Sequence, residues 1–322
     1  MKTGFVTSPL FARHDTGPAH PERAERVAAI ERELERSGLL AELDGATAPE
    51  AAPDTAKLVH AADYVDAVQR AIARGARVLD EGDTRVSADS WRAGLAATGG
   101  ALLAVEHVLL GEWKNAFVAT RPPGHHAEHA EAMGFCFFNH VAIAAAHLRA
   151  KGVARVAIVD FDVHHGNGTQ HLFERDPAVF YASLHQWPLY PGSGLAHERG
   201  LGDGEGATLN CPLPPRAGDV EWLAAFDDEV LPALDRFRPQ FVLVSAGFDA
   251  HADDPLSQTE LSDGAYRHLT HGLVDLARRH AKGRLVSLLE GGYDLGALAR
   301  CARIHVEELT GGNTVPEQFF TR

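Results

Sequence analysis

Arg-Val-Ala-Ile-Val-Asp-Phe-Asp-Val-His-His, residues 155–165, opens as an apolar β-rich run and closes on a cluster of carboxylates and imidazoles. The run Val156–Phe161 has few polar interruptions, as a strand covered on both faces should. Similar runs recur at Phe5–Val6, Ala116–Ala119, Val179–Ala182, Phe241–Ser245 and Leu285–Leu289. Between them, apolar residues repeat at helical spacing over Pro21–Leu40, Ala61–Ile72, Trp91–Leu110, His140–Arg149, Val220–Phe237, Tyr266–His280 and Leu295–Leu309. Strands alternating with helical crossovers of this length predict an α/β fold, an open parallel sheet flanked by helices on both faces. No linker or internal repeat divides the chain, so a single domain over residues 1–322 is expected.

Composition narrows the function. The chain has 322 residues, 45% hydrophobic and 23% charged, enough for one large core without disulfides. Its 44 Asp and Glu against 30 Lys and Arg give a net charge of −14, which argues against nucleic acid as ligand and mildly favours a cationic substrate. No unbroken apolar stretch of about 18 residues is present, and the N-terminus lacks a leader pattern, so no membrane partner and a cytoplasmic location are expected. Three cysteines without a CxxC pair fit a reducing compartment. The 19 histidines are the unusual feature, since imidazole is the commonest nitrogen metal ligand.

Long loops rich in Gly, Pro and His span His14–Pro21, Arg121–Asn139, His185–Thr208 and Gly247–Asp263. Ligands of an open parallel sheet bind beyond the carboxyl ends of its strands. Four unusual segments each follow an expected strand: Arg-Pro-Pro-Gly-His-His at 121–126, Asp-Phe-Asp-Val-His-His at 160–165, Ala-Gly-Phe-Asp at 246–249 and Glu-Gly-Gly-Tyr at 290–293. Asp160, Asp162 and His164 alternate, so they share one face of the chain. Adding Asp249 from a second strand end gives two carboxylates and one imidazole with positions left open, a catalytic rather than a structural zinc pattern. His125 and His126, fixed by the stiff turn before them, suit proton transfer. The phenol of Tyr293, after two glycines, can donate to a developing oxyanion.

Taken together, RPPGHHA, GFCFFN at 134–139, DFDVHHGNGTQ at 160–170, YASLH at 181–185, SAGFDAH at 245–251 and LEGGY at 289–293 resemble the histone deacetylase family. HPERAERV and LVHAADYVDAV also look like its class II branch and the bacterial histone deacetylase-like amidohydrolases. The resemblance implies the arginase/deacetylase fold and hydrolysis of an acyl amide on a primary amine, such as acetylated lysine or a small acylated amine. It implies that Asp162, His164 and Asp249 hold zinc, or iron in the cell. His126 would be the principal base and acid, supported by Asn167 where class I relatives carry aspartate; His125 would be its electrostatic partner, oriented by Asp160. Tyr293 would polarise the carbonyl.

Gly134 and Phe135 would line the acyl-lysine tunnel, with Tyr190 as the opposite wall. Structural potassium would sit at Asp160, Asp162, His164, Ser183 and Leu184, and a second cation at carbonyls around Phe173, Asp176 and Val179. Leu256 matches the position where polyamine-deacetylating relatives carry an acidic gate. His14, Asp15, His20, Asp89 and Glu128 are candidate rim residues, with Asp89 a candidate to hold a peptide backbone. A homo-oligomer is compatible with the sequence. The competing readings are an acetylpolyamine amidohydrolase, a non-catalytic acyl-lysine-binding module and a two-metal ureohydrolase.

Overall fold

The computed structural model describes residues 1–311 of the chain, so the last eleven residues of the expected domain lie outside the described region. Within these described residues eight strands form one sheet: β1 (Gly4–Thr7), β2 (Asp44–Thr47), β3 (Ala116–Val118), β4 (Val156–Asp160), β5 (Val179–Gln186), β6 (Thr208–Leu213), β7 (Phe241–Ala246) and β8 (Leu285–Leu289). Their order is β2-β1-β3-β8-β7-β4-β5-β6, and every neighbouring pair is parallel. Every residue of β3, β4, β7 and β8 is buried, which is why each reads as an unbroken apolar run.

Among the described residues nine α-helices cover it: α1 (Glu25–Arg36), α2 (Ala62–Ala73), α3 (Ser90–Leu110), α4 (His140–Ala150), α5 (Asn167–Phe173), α6 (Asp219–Ala225), α7 (Leu231–Phe237), α8 (Asp263–His280) and α9 (Leu295–Thr310). Successive residues of β3 point to opposite faces and so separate the layers. Val118 approaches Gly100 of α3, whereas Phe117 meets the ring of His305 on α9, with centroids 5.6 Å apart. α3 packs with α4 on the first face, and α1 and α8 flank α9 on the second. By length and composition α3 could cross a membrane, but 67% of its most apolar window is buried inside the molecule.

Several boundaries differ from expectation. The first helix does not begin at Pro21 but at Glu25, and Gly38, left-handed at φ 79°, separates it from a short 3₁₀ turn over Leu39–Glu42. The helix expected over Val220–Phe237 runs as α6 and α7 joined by a π turn at Phe226–Val230. Pro232 lies just beyond that turn and has no N–H to give the ladder, a recognised cause of such widening. Strand β5 continues to Gln186, so the loop expected from His185 begins two residues later.

Candidate active site

The four motif segments follow β3, β4, β7 and β8. These strands come from two separate parts of the chain, yet they stand side by side as β3-β8-β7-β4 in the middle of the sheet. Parallel register puts all four carboxyl ends on one edge, and the site lies there.

Asp162, His164 and Asp249 converge, with ligand-capable atoms all within 4.8 Å of one another and all three residues buried. His164 Nδ1 lies 3.0 Å from Asp162 Oδ1 and 3.2 Å from Asp249 Oδ2. Backbone N–H groups aim the carboxylates: Gly291 donates to Asp162 Oδ2 at 2.7 Å, and Val163 to Asp249 Oδ1 at 2.9 Å. A Cβ at Gly291 would lie 1.9 Å from Asp249 Oδ2, so this backbone approach requires glycine. Burial opposes the charge on Asp249, and with the neighbouring Asp162 carboxylate raises its pKa to about 7. Burial also opposes protonation of His164, but its hydrogen bonds to the two aspartates prevail and raise its pKa to about 10. Two desolvated carboxylates competing for one imidazole proton form a donor set that fits a divalent ion, with oxygen and nitrogen ligands of the catalytic zinc type.

The two tandem histidines are placed in opposite electrical situations. His125 Nδ1 is 3.0 Å from Asp160 Oδ2. Its burial disfavours the cation, yet Asp160, Asp162 and Glu290 together raise its pKa to about 10. His126 Nδ1 instead meets the neutral Oδ1 of Asn167 at 2.7 Å. Burial, then the charges of His125 and His164, hold His126 well below the usual imidazole range. Because an amide oxygen only accepts, Nδ1 of His126 carries the proton and Nε2 keeps a lone pair. Tyr293 is buried, with its ring edge-on to Phe135 at 6.0 Å.

Comparison with known proteins fits this geometry. A family model described as "Histone deacetylase domain" matches residues 20–309. The chain belongs to the histone deacetylase family. It is 40% identical to a probable deacetylase of Archaeoglobus fulgidus over 92% of this chain and 83% of that one. It is also 40% identical to a histone deacetylase-like amidohydrolase of Pseudomonas aeruginosa, over 96% of this chain and 80% of the relative. The crystal structure of an HDA15 HD domain superposes with a TM-score of 0.91 at 36% identity, covering 98% of this chain and 90% of that one. As a histone deacetylase-like protein of the deacetylase and amidohydrolase kind, the chain is a hydrolase.

Within this deacetylase fold, the expected tunnel residues gather at the site. Gly134 is left-handed at φ 55°, and a Cβ there would lie 2.4 Å from His126 Cδ2 and 3.0 Å from Tyr190 Cε1. Tyr190 stands perpendicular to His126 with centroids 5.1 Å apart. Phe135 packs between His20 and Tyr293. Ser183 pairs in register with Asp160 across β4 and β5, with Leu184 next to it and fully buried.

One candidate rim residue departs from expectation. His14 is buried, its Nδ1 2.6 Å from Ser90 Oγ, and burial lowers its pKa to about 4; it is a core histidine. Asp89 pairs with Arg13 at 3.1 Å. Leu256 is half-buried, and its N–H donates to Asp254 Oδ1 at 3.0 Å.

Three residues of this deacetylase site carried no expected role. Asp254 Oδ2 accepts the Tyr293 N–H at 2.6 Å. Glu290 accepts the N–H groups of Gly124 and His125 at 2.7 and 3.2 Å, tying the tandem-histidine turn to β8. Arg26 donates to Gly292 O at 2.7 Å and Glu290 O at 2.5 Å, with its guanidinium carbon 5.0 Å from the Tyr293 ring centroid. Arg26 and Glu290 lie inside the motifs HPERAERV and LEGGY, which was the available signal, whereas Asp254 lies in neither.

A second convergent group, His251, Asp263 and Cys301, is arranged as a clamp. Asp253 N–H donates to His251 Nδ1 at 3.0 Å, which leaves Nε2 as the donor to Asp263 Oδ1, also at 3.0 Å. Arg300 neutralises the other oxygen of Asp263 at 3.1 Å. The network fastens the loop after β7 to α8 and α9.

Proposed function

We propose that this chain is a zinc-dependent deacylase that hydrolyses the acyl amide of acetyl-lysine, or of a similar acylated primary amine, and releases acetate. The observation that carries the reading is the meeting of Asp162, His164 and Asp249 beside an imidazole, His126, whose Nε2 lone pair is free. Zinc, or iron in the cell, held by those three residues would supply Lewis acidity, lowering the pKa of water to about 7 and polarising the acyl oxygen.

The chain's own groups divide the remaining work. His126 Nε2 takes a proton from the attacking water as the new C–O bond forms. His125, protonated beside Asp160, keeps a positive charge near the developing oxyanion. The Tyr293 hydroxyl donates to that oxygen. His126 then returns its proton to the nitrogen as the C–N bond breaks, giving acetate and free amine. Gly134, Phe135 and Tyr190 would enclose the acyl-lysine stem and exclude water. Potassium near Asp160, Ser183 and Leu184 belongs to the same proposal as a structural support. So does a cytoplasmic setting, in keeping with three free, buried cysteines.

An acylated polyamine is the second reading. Asp80, Glu81, Asp83 and Glu131 line a recess with Tyr190, and such an acidic wall suits a substrate with further positive charge. The apolar Leu256 favours acetyl-lysine. Rates on an acetyl-lysine peptide and on acetylputrescine decide between them: the peptide is expected to be the better substrate. Activity should vanish on chelation and return with zinc. A strong preference for acetylputrescine would transfer the assignment to the second reading, and activity untouched by chelation would overturn both.

A further inference from the structure

The amide of Asn167 has no charge to offer His126, but it does not stand alone. Its Nδ2 donates to Glu128 Oε1 across 2.5 Å, and the same oxygen accepts from His171 Nδ1 at 2.8 Å. The other neighbours of Nδ2 are also acceptors, the carbonyl of His126 at 3.3 Å and Met133 Sδ at 3.2 Å. With acceptors on that side, the amide has one satisfied orientation, Oδ1 toward His126. The order is therefore carboxylate, amide, imidazole, each group donating to the one before it.

We propose that Glu128 is a positioning residue for the reaction, fixing the Asn167 amide and supplying through it the negative charge that His126 lacks. The inference rests on the deacylase reading above. A carboxylate acceptor polarises the amide, so Oδ1 becomes a stronger acceptor for the His126 N–H, and hydrogen bonds in series strengthen one another. The imidazole gains basicity at Nε2 when it takes the water's proton. Glu128 itself is well held. Its carbonyl accepts from His60 Nδ1 at 2.8 Å, and its N–H donates to Glu131 O at 3.0 Å. A Cβ at Gly168 would lie 2.2 Å from Ala127 O, so α5 is seated directly on the backbone between His126 and Glu128. The carboxylate borders a groove of about 450 Å³ shared with Met133, Asn167, His171 and Ser193, and its side chain is mostly buried. It touches neither the metal-ligand set nor the tunnel, and acts only through Asn167.

Glu128→Ala and Glu128→Gln, each checked for unchanged thermal unfolding and metal content, test this. Removing a hydrogen-bond partner that orients a functional side chain typically costs about 10–100-fold. The Ala variant should lose kcat in that range with KM within about twofold of the parent, and Gln, which still accepts from the amide, should lose less. The decisive arm is Asn167→Asp. Beside Glu128 it sets two carboxylates against each other and should lower kcat, whereas in the Glu128→Ala background it places the charge directly on His126 and should raise it. Full activity in the Ala variant, a loss borne by KM alone, or an equal effect of Asn167→Asp in both backgrounds would overturn the proposal. A readout independent of turnover is the downfield proton resonance of the His126 Nδ1–H, assigned by its loss in His126→Ala. It should move upfield in Glu128→Ala, and an unmoved resonance sinks the inference. A parent protein inactive on every acyl amine sinks the deacylase reading instead.

Discussion

Glu22 and Arg121 meet at 2.7 Å with neither side chain exposed to solvent. Arg26 also approaches Glu22, at 3.3 Å, and Arg121 donates to the carbonyls of Phe11 and His14. Because Arg121 begins the turn that carries His125 and His126, this buried cluster anchors the tandem-histidine loop. Burial alone would raise the Glu22 pKa, but Arg121, His14 and Arg26 bring it down to about 2. A folded value below the unfolded one, 4.5, means this stabilisation is complete above pH 4.5 and lost as pH falls toward 2. Glu22→Gln should cost about 3–5 kcal/mol by leaving two guanidinium groups without their counter-charge. Denaturant unfolding measures it; a cost below about 1 kcal/mol would show the cluster to be dispensable.

Six buried histidines should make stability fall as pH drops below 6.5. Burial lowers His14, His60 and His165 to about 4, and His140, His185 and His305 to about 3, from an unfolded value of 6.5. Each stays neutral in the fold, so its contribution is whole above pH 6.5 and shrinks below it, by about 1.4 kcal/mol per pH unit for each proton taken up on unfolding. Urea midpoints should drop steeply as pH falls from 6.5 to 5. A flat profile across that interval contradicts the burial argument.

Tyr293→Phe removes one hydroxyl while retaining the ring against Phe135 and Arg26. Turnover on an acetyl-lysine peptide should fall about 10²–10³-fold, the usual cost of one oxyanion donor. Melting temperature should stay within a few degrees, and a variant that keeps most of its kcat would remove Tyr293 from the mechanism.

Gly134→Ala should damage activity by a different route. The new methyl would occupy space held by His126 and would sit at a left-handed φ, so the histidine must shift off its bond to Asn167. A fall in kcat of at least tenfold is expected. Unaltered kinetics would mean that the loop carrying Gly134 yields freely.

Six of the eight strands and the identity of the converging groups were legible in the sequence, for one physical reason. Strands such as Val156–Asp160 are buried on both faces and read as continuous apolar runs, and their carboxyl ends must share one edge. The two missed strands lie at the sheet's edges. Asp44–Thr47 is mostly exposed and polar, and Thr208–Leu213 contains Pro212, tolerated where a strand has one free side. The unforeseen helix Asn167–Phe173 begins Asn-Gly, which reads as a turn; it is held by packing against the histidine loop. Side chains meeting from distant segments left no local pattern, so His14 was read as a rim residue and Arg26 had no assigned role.

Arg26 reaches across 266 positions of sequence to hold the carbonyl of Gly292. The amino-terminal quarter is thus the floor under the tyrosine that ends the last motif. Replacing Arg26 in the whole chain would leave Asp162, His164 and Asp249 in place, yet its phenol would have nothing to stand on. Ion capture and turnover should therefore part company when that one side chain is replaced.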